Sequence, residues 1–263
     1  MMTRLIAVLC AATTLATAAF PAMAEEASNH QYVIDLGAGV MAKPRYPGSD
    51  EVIAVPFPLI FVGKFFIPGV GEVISEDDRI KRFSIYPSFN FNGKRDSSDS
   101  EDLAGLDDVD WALEVGLGMA YRLDWIRGFV EVRQGFNGHS GQVADFGIDF
   151  IANPTEDLQV MVGPRAGWGS DGYMDTYFGI TAAEADDPDP LYDKAYDAEA
   201  GFNTVGVAAT ASYDLTDEFT FHLRSGWDRL IGDAADSPIV KEGSVNQFYG
   251  GVGITYEFRF SLY

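Results

Sequence analysis

The clearest regularity along the chain is an alternation of apolar and polar side chains with a period of two. Between Asp110 and Asp124 one set of positions reads Trp111, Leu113, Val115, Leu117, Met119, Tyr121 and Leu123. The set between them reads Asp110, Ala112, Glu114, Gly116, Gly118, Ala120, Arg122 and Asp124. Successive side chains of a strand point to opposite faces, so this segment has one wholly apolar face and one small or charged face. The same pattern returns around Leu158–Trp168, Val205–Tyr213, Phe219–Trp227 and Val252–Phe260. These runs exceed the ~5–6 residues usual for strands of soluble sandwiches. They match the ~9–11 that a tilted strand needs to cross a bilayer. Beyond the first 24 residues the longest apolar run, Val52 to Val62, is broken by Pro56 and Pro58, which excludes spanning by helices there. The pattern therefore predicts an all-β fold, a closed antiparallel transmembrane β-barrel.

Connections alternate in length. Short ones fall at Asp124, at Asn153-Pro154-Thr155 and at Leu215-Thr216-Asp217; long ones run from Gly93 to Asp108, Asp171 to Ala200 and Gly232 to Asn246. Short turns towards the periplasm and long loops outward are the barrel arrangement. About eleven strand-like runs can be counted. A barrel with both termini on one side needs an even number, so ten or twelve are expected, with the miscount between Tyr46 and Asn92. Turns at Gly63 and at Glu76–Asp78 are both short there, and Pro56 and Pro58 require either interrupted pairing or a seam.

The first residues read as something other than barrel. Arg4, an apolar stretch from Leu5 to Phe20, and Ala22-Met23-Ala24 make a secretory signal peptide over residues 1–24, leaving 25–263 as the barrel. Cleavage removes Cys10, the chain's one cysteine, so no disulfide is available in the oxidising periplasm. The formal net charge is −22, and loss of Arg4 makes the remainder one unit more negative. Such a chain is not a nucleic-acid binder, which needs Lys/Arg patches, nor suited to an anionic inner-leaflet surface.

Candidate chemistry is sparse. Of three histidines, His30 lies near the new terminus, His139-Ser140 sits in a glycine-rich turn, and His222 points inward beside Arg224 to make a lumen hydrogen bond. No His-x-x-x-His, Cys pair or Gly-x-Ser-x-Gly element appears, so the chain reads as a non-enzyme with no cofactor and no metal. Two loops are acidic: Asp96, Asp99, Glu101, Asp102, Asp107, Asp108 and Asp110 in one, and Glu184, Asp186, Asp187, Asp189, Asp193, Asp197 and Glu199 in the other. Neither has the spacing of a calcium loop; solvated outward loops beside cation-bridged lipopolysaccharide are expected. The lumen is more informative. The alternation turns Glu114, Arg122, Arg127, Glu131, Arg133, Asp145, Asp149, Arg165, Arg224, Asp228, Glu257 and Arg259 inward. Two readings stand: an interior packed by Arg–carboxylate pairs, or a narrow water-filled pore.

Several blocks carry a resemblance. They are Tyr46-Pro47-Gly48-Ser49-Asp50 with Pro56-Phe57-Pro58-Leu59; Gly105-Leu106-Asp107-Asp108-Val109-Asp110 leading to Glu114; and Arg133-Gln134-Gly135-Phe136-Asn137-Gly138-His139-Ser140-Gly141 with Ala144-Asp145. Further on come Gly163-Pro164-Arg165; Tyr173-Met174-Asp175-Thr176-Tyr177-Phe178-Gly179-Ile180-Thr181; and Arg229 through Val240, including Asp236-Ser237-Pro238-Ile239-Val240. In this order the chain resembles the MipA/OmpV family of outer-membrane proteins over nearly its whole length, although it runs past the usual terminal aromatic, Phe258, as Arg259-Phe260-Ser261-Leu262-Tyr263. The resemblance implies a barrel in the Gram-negative outer membrane, in contact with its lipid and lipopolysaccharide. It also implies a scaffold role as partner of peptidoglycan lytic transglycosylases and synthases. The alternatives are a narrow porin-like channel or surface adhesin and, more distantly, a lipid-active barrel enzyme.

Overall fold

A computed structural model describes residues 31–67, 71–74, 82–186 and 191–261. The leader over 1–24, His30, the turn at Glu76–Asp78, Asp187, Asp189 and Leu262-Tyr263 lie outside the described residues. The strands are β1 (Gln31–Pro44), β2 (Val52–Ile67), β3 (Gly71–Ile74), β4 (Phe83–Asn92), β5 (Ala112–Arg122), β6 (Ile126–Asn137), β7 (Gln142–Ala152) and β8 (Leu158–Gly169). After them come β9 (Gly201–Asp214), β10 (Phe219–Leu230) and β11 (Asn246–Ser261). They form one sheet in the order β3-β2-β1-β11-β10-β9-β8-β7-β6-β5-β4. The first and last strands pair from Gln31↔Ser261 to Ala42↔Gly250. The sheet curls so that side chains from β1 and from every strand β4 to β11 line one cavity.

The odd strand count resolves by direction. All neighbouring strands in the sheet are antiparallel. Following that alternation around the sheet makes β3 parallel to β4, but β2 antiparallel to it. The four-residue β3 is thus an extra piece in the β2–β4 connection, within the stretch where the miscount was expected, and ten long strands remain. Among the described residues no pairing joins β2 or β3 to β4, and closure there belongs to the proposal below. Pairing of β2 with β1 continues unbroken through Val40↔Pro56 and Ala38↔Pro58, so the prolines do not interrupt it. They stand on the strand at the described edge, and Pro87 stands in β4 at the other edge, positions that can do without an N–H.

The two faces of the sheet differ as the alternation requires. On β5, Leu117 is 62% exposed and Tyr121 50%, while Ala112 and Glu114 are 0% and 2% exposed. The outward face gathers aromatics at both ends: Phe91 stacks on Trp111 towards one end, and Trp125 on Phe150 towards the other. So much exposed apolar surface, edged by aromatic girdles, suits hydrocarbon and not water.

The long connections are not the open solvated loops expected from sequence. They fold into helices α1 (Asp171–Phe178), α2 (Ala182–Ala185), α3 (Gly232–Asp236) and α4 (Pro238–Glu242), plus a 3-10 turn at Glu101–Leu103. Together these make a cap with its own apolar core. Val109, Met174, Tyr177, Phe178, Leu230, Ala234 and Val240 form one buried cluster; Tyr46, Leu103, Leu106, Ile180, Tyr192 and Ile239 form a second. Ser237 donates to the Phe178 carbonyl at 2.7 Å. Gly48, with φ +98°, passes so close to Val240 that a Cβ would lie 2.5 Å from its Cγ2. Several of the described acidic side chains of this cap are engaged locally: Glu184 caps α2 through Thr181 and accepts from the Asp107 N–H at 2.7 Å. Asp108 accepts from the Ser97 N–H at 2.8 Å.

Candidate functional site

Beneath the cap, on the inner faces of β4 to β8, polar side chains meet in a continuous ladder. Its centre is Arg133, 7% exposed. Its Nε donates to Glu114 Oε2 at 3.0 Å and its Nη1 to Glu131 Oε2 at 2.9 Å and Ser88 Oγ at 3.2 Å. Nη2 reaches Asp145. Strand register explains the meeting: Gly116↔Arg133 and Arg133↔Val143 set Glu114 and Asp145 diagonally on either side of the arginine. Tyr86 bridges to a second cluster, donating to Glu131 at 3.0 Å and accepting from Arg127 Nη2 at 3.3 Å. Arg127 and Arg165 share Asp149, and both guanidinium groups lie over the Phe129 ring, at 5.0 and 5.1 Å. Charge-assisted, bidentate-capable contacts of this kind fix the wall and neutralise buried carboxylates.

Eight of the twelve inward charges read from sequence therefore fall in this region, seven of them in the ladder: Glu114, Arg127, Glu131, Arg133, Asp145, Asp149 and Arg165. Arg122, the eighth, faces Arg127 across β5 and β6. Glu257 and Arg259 pair with each other near the end of β11. Arg224 and Asp228 sit across the interior, Arg224 over the Tyr249 ring at 5.6 Å. His222 hydrogen bonds with Ser212 at 3.1 Å and Thr255 at 2.9 Å.

The alternation alone did not identify the neutral partners. Tyr86, Ser88, Asn90 and Asn92 all come from the inner face of β4, where they alternate with Ile85, Phe89 and Phe91. Asn90 and Asn92 donate to Glu114 at 3.2 and 2.7 Å. His139 was also missed as a wall residue. The turn at Asn137, with φ 72°, folds its ring back over Gly135, where any Cβ would lie 2.1 Å from it. Its Nε2 stands 3.4 Å from Glu114 Oε1, without hydrogen-bond alignment. The rings of Tyr173 and Tyr177 from α1 meet it edge-on at 5.2 and 5.5 Å. His139 thus joins cap to wall. Among the described residues no group of three or more His, Cys, Asp or Glu side chains is arranged to hold a metal.

Between cap and ladder lies a cavity of about 440 Å³. One side is Glu114, Arg133 and Asp145; the roof is Tyr173, Tyr177 and Phe178; the far side is Lys43, Arg224, Asp228 and Tyr249.

The model of the family "MltA-interacting protein MipA" matches residues 36–258. No curated protein sequence matches the chain. Solved structures similar to it include Neisserial surface protein A, at 8% identity, covering 87% of this chain and 97% of that one, with a TM-score of 0.27. Ail, the attachment invasion locus protein of Yersinia pestis, gives 9% identity, 88% and 100% coverage and a TM-score of 0.27. The outer membrane protease OmpT from Escherichia coli gives 11%, 89% and 98%, and 0.28. Likeness at this level carries no argument about activity.

Proposed function

The chain belongs to the MltA-interacting protein MipA family, and on that premise we propose that it is a closed outer-membrane barrel whose work is interaction, as a scaffold for peptidoglycan lytic transglycosylases and synthases. The observation that carries this reading is how the interior is used. Arg133 is engaged by Glu114, Glu131 and Asp145 at once, and the mouth above is covered by a cap with an apolar core. On the wall from β4 to β8 the side chains that a channel would present to solutes are bound to one another, and no nucleophile is hydrogen-bonded to His139 among the described residues.

In this reading the leader over 1–24 is cleaved on export, β2 closes against β4 as the tenth seam, and the cap faces outward beside lipopolysaccharide. The short turns at Leu123–Trp125, Asn153–Asp157 and Leu215–Glu218 face the cell wall and offer the partner surface. The test is capture of purified lytic transglycosylase and peptidoglycan synthase by the barrel in detergent, beside planar-bilayer recordings of the same preparation. Capture that is lost on replacing the turn residues Glu156, Asp157 and Asp217, with no steady conductance, is the expected outcome. Steady conductance whose ion selectivity follows the interior arginines would establish the rival channel instead.

A further inference from the structure

The two sides of the capped cavity are not equivalent. Among the charged side chains that line it, Arg45 is held by Glu51 and Asp99, Lys94 by Asp96 and Asp108, and Arg133 by its three carboxylates. Arg95 donates to the Tyr177 carbonyl. Lys43, Arg224 and Asp228 are the remainder, and among the described residues none of the three makes an ion pair.

Their placement is ordered. Tyr249 on β11 lies opposite Gly226 on β10, and continuation of the β1–β11 register sets Lys43 on its other side. Arg224 and Asp228 flank Gly226, two residues away in each direction, on the same inward face. Four residues along a strand is about 13 Å between Cα atoms, and the two side chains do not close that gap into an ion pair. The glycines make room for the neighbouring side chains. A Cβ at Gly226 would meet the Tyr249 ring at 2.3 Å, and one at Gly206 would meet Asp228 Oδ1 at 2.2 Å. The Tyr249 ring therefore fills the space over Gly226, with Arg224 over its face, and the Asp228 carboxylate lies over Gly206.

We propose that this cavity binds a small zwitterion, an amino acid or short peptide, with its carboxylate on Lys43 and Arg224 and its ammonium on Asp228. An inorganic anion would meet Asp228, an unaccompanied amine would meet Lys43 and Arg224, and a neutral sugar would draw on none of the three charges. A ligand with both charges satisfies the wall. The volume of about 440 Å³ lies within the ~300–1,000 Å³ typical of small-molecule sites. The site needs no partner enzyme, so it stands or falls apart from the scaffold reading.

The test is calorimetric titration of the full-length folded barrel in detergent with alanyl-alanine, its N-acetyl derivative, its C-terminal amide, and inorganic phosphate. The dipeptide should bind, and either blocked form should bind at least about tenfold more weakly, as loss of a charged hydrogen bond implies. Asp228→Asn should weaken the dipeptide and leave the N-acetyl form unchanged; Arg224→Gln should do the mirror, leaving the amide unchanged. Retained heat-modified gel mobility shows each variant to be folded. No binding of the dipeptide at millimolar concentration, phosphate binding as tight as the dipeptide, or variants that lower all ligands equally would each overturn the proposal.

Discussion

Arg133 and Arg224 face the same cavity from opposite walls, yet one is 7% exposed inside a set of three carboxylates and the other rests on an aromatic ring. The difference follows from what the neighbouring strands supply. Around Arg133, β4, β5 and β7 contribute Ser88, Glu114 and Asp145. Around Arg224, β11 and β1 contribute Gly251, Gly253, Gly37 and Gly39 on the inward face, with Phe57 and Leu59 of β2 lying over those glycines. One wall of the barrel is a closed polar ladder; the other is small and apolar with isolated charges. A barrel interior can therefore be structural on one side and available on the other.

The sharpest test of that contrast is a matched pair of substitutions. Arg133→Ala leaves Glu114, 2% exposed, without its cation, and breaking such a buried pair costs about 3–5 kcal/mol. The temperature at which the folded band is lost in heat-modified gels should fall markedly. Arg224→Ala removes a ring contact worth about 0.5–1 kcal/mol and should leave that temperature nearly unchanged. Equal losses would abolish the distinction between the walls.

Next in size is the cap that roofs both walls. Ile239 is fully buried in it, and truncating such a side chain costs about 2–5 kcal/mol. Ile239→Ala should open the cap to protease while the barrel band persists, since the cap core shares no side chain with the Arg133 ladder. Loss of the barrel band together with the cap would show that the ladder depends on its roof. On the outer face of β5, Leu117→Arg places a charge near mid-membrane at about 2–4 kcal/mol, measurable by refolding into lipid vesicles. Its neighbour Gly118→Arg acts inward instead, where a Cβ already meets the Tyr86 ring at 2.3 Å, and should disrupt the Tyr86–Glu131 bridge.

Much of this was legible in the sequence, and the reason is parity. A period of two assigns every side chain of a strand to a face, so the charges of the ladder and the outward row from Leu113 to Leu123 could be read without coordinates. The cap was not legible. Its longest helix, α1, has eight residues and α3 and α4 have five each, too short for a helical period to register or for the segment to be stable alone. What holds them is tertiary: Ser237 on the Phe178 carbonyl, Gly48 against Val240, Tyr192 on the Asp102 carbonyl. The blocks that carry the family resemblance, Tyr46-Pro47-Gly48, Tyr177-Phe178-Gly179-Ile180 and Ser237-Pro238-Ile239-Val240, converge there. The run count came out odd for a related reason, since β3 pairs through Phe65–Ile67 alone and imitates a strand without adding a wall.

The smallest effect expected is on pH, and it separates roof from walls. Burial, reinforced by the nearby Glu114 carboxylate, pushes the Tyr177 hydroxyl up to about 12; burial and the carboxylates of Asp233 and Asp236 push Tyr196 up to about 12 as well. An unfolded tyrosine ionises near ~10. Between these values the folded cap retains protons that the unfolded cap releases, so the contribution to stability is fully present below pH ~10 and is lost as pH rises through about 12. Alkaline titration followed by tyrosinate absorbance should show a late phase. Tyr177→Phe should shrink that phase and keep the cap resistant to protease at higher pH. The ladder beneath, held by guanidinium groups that stay charged throughout this range, should keep the barrel band intact while the cap loosens. A single early tyrosine phase, or collapse of cap and barrel together, would mean that the roof is no less firmly held than the Arg133 wall.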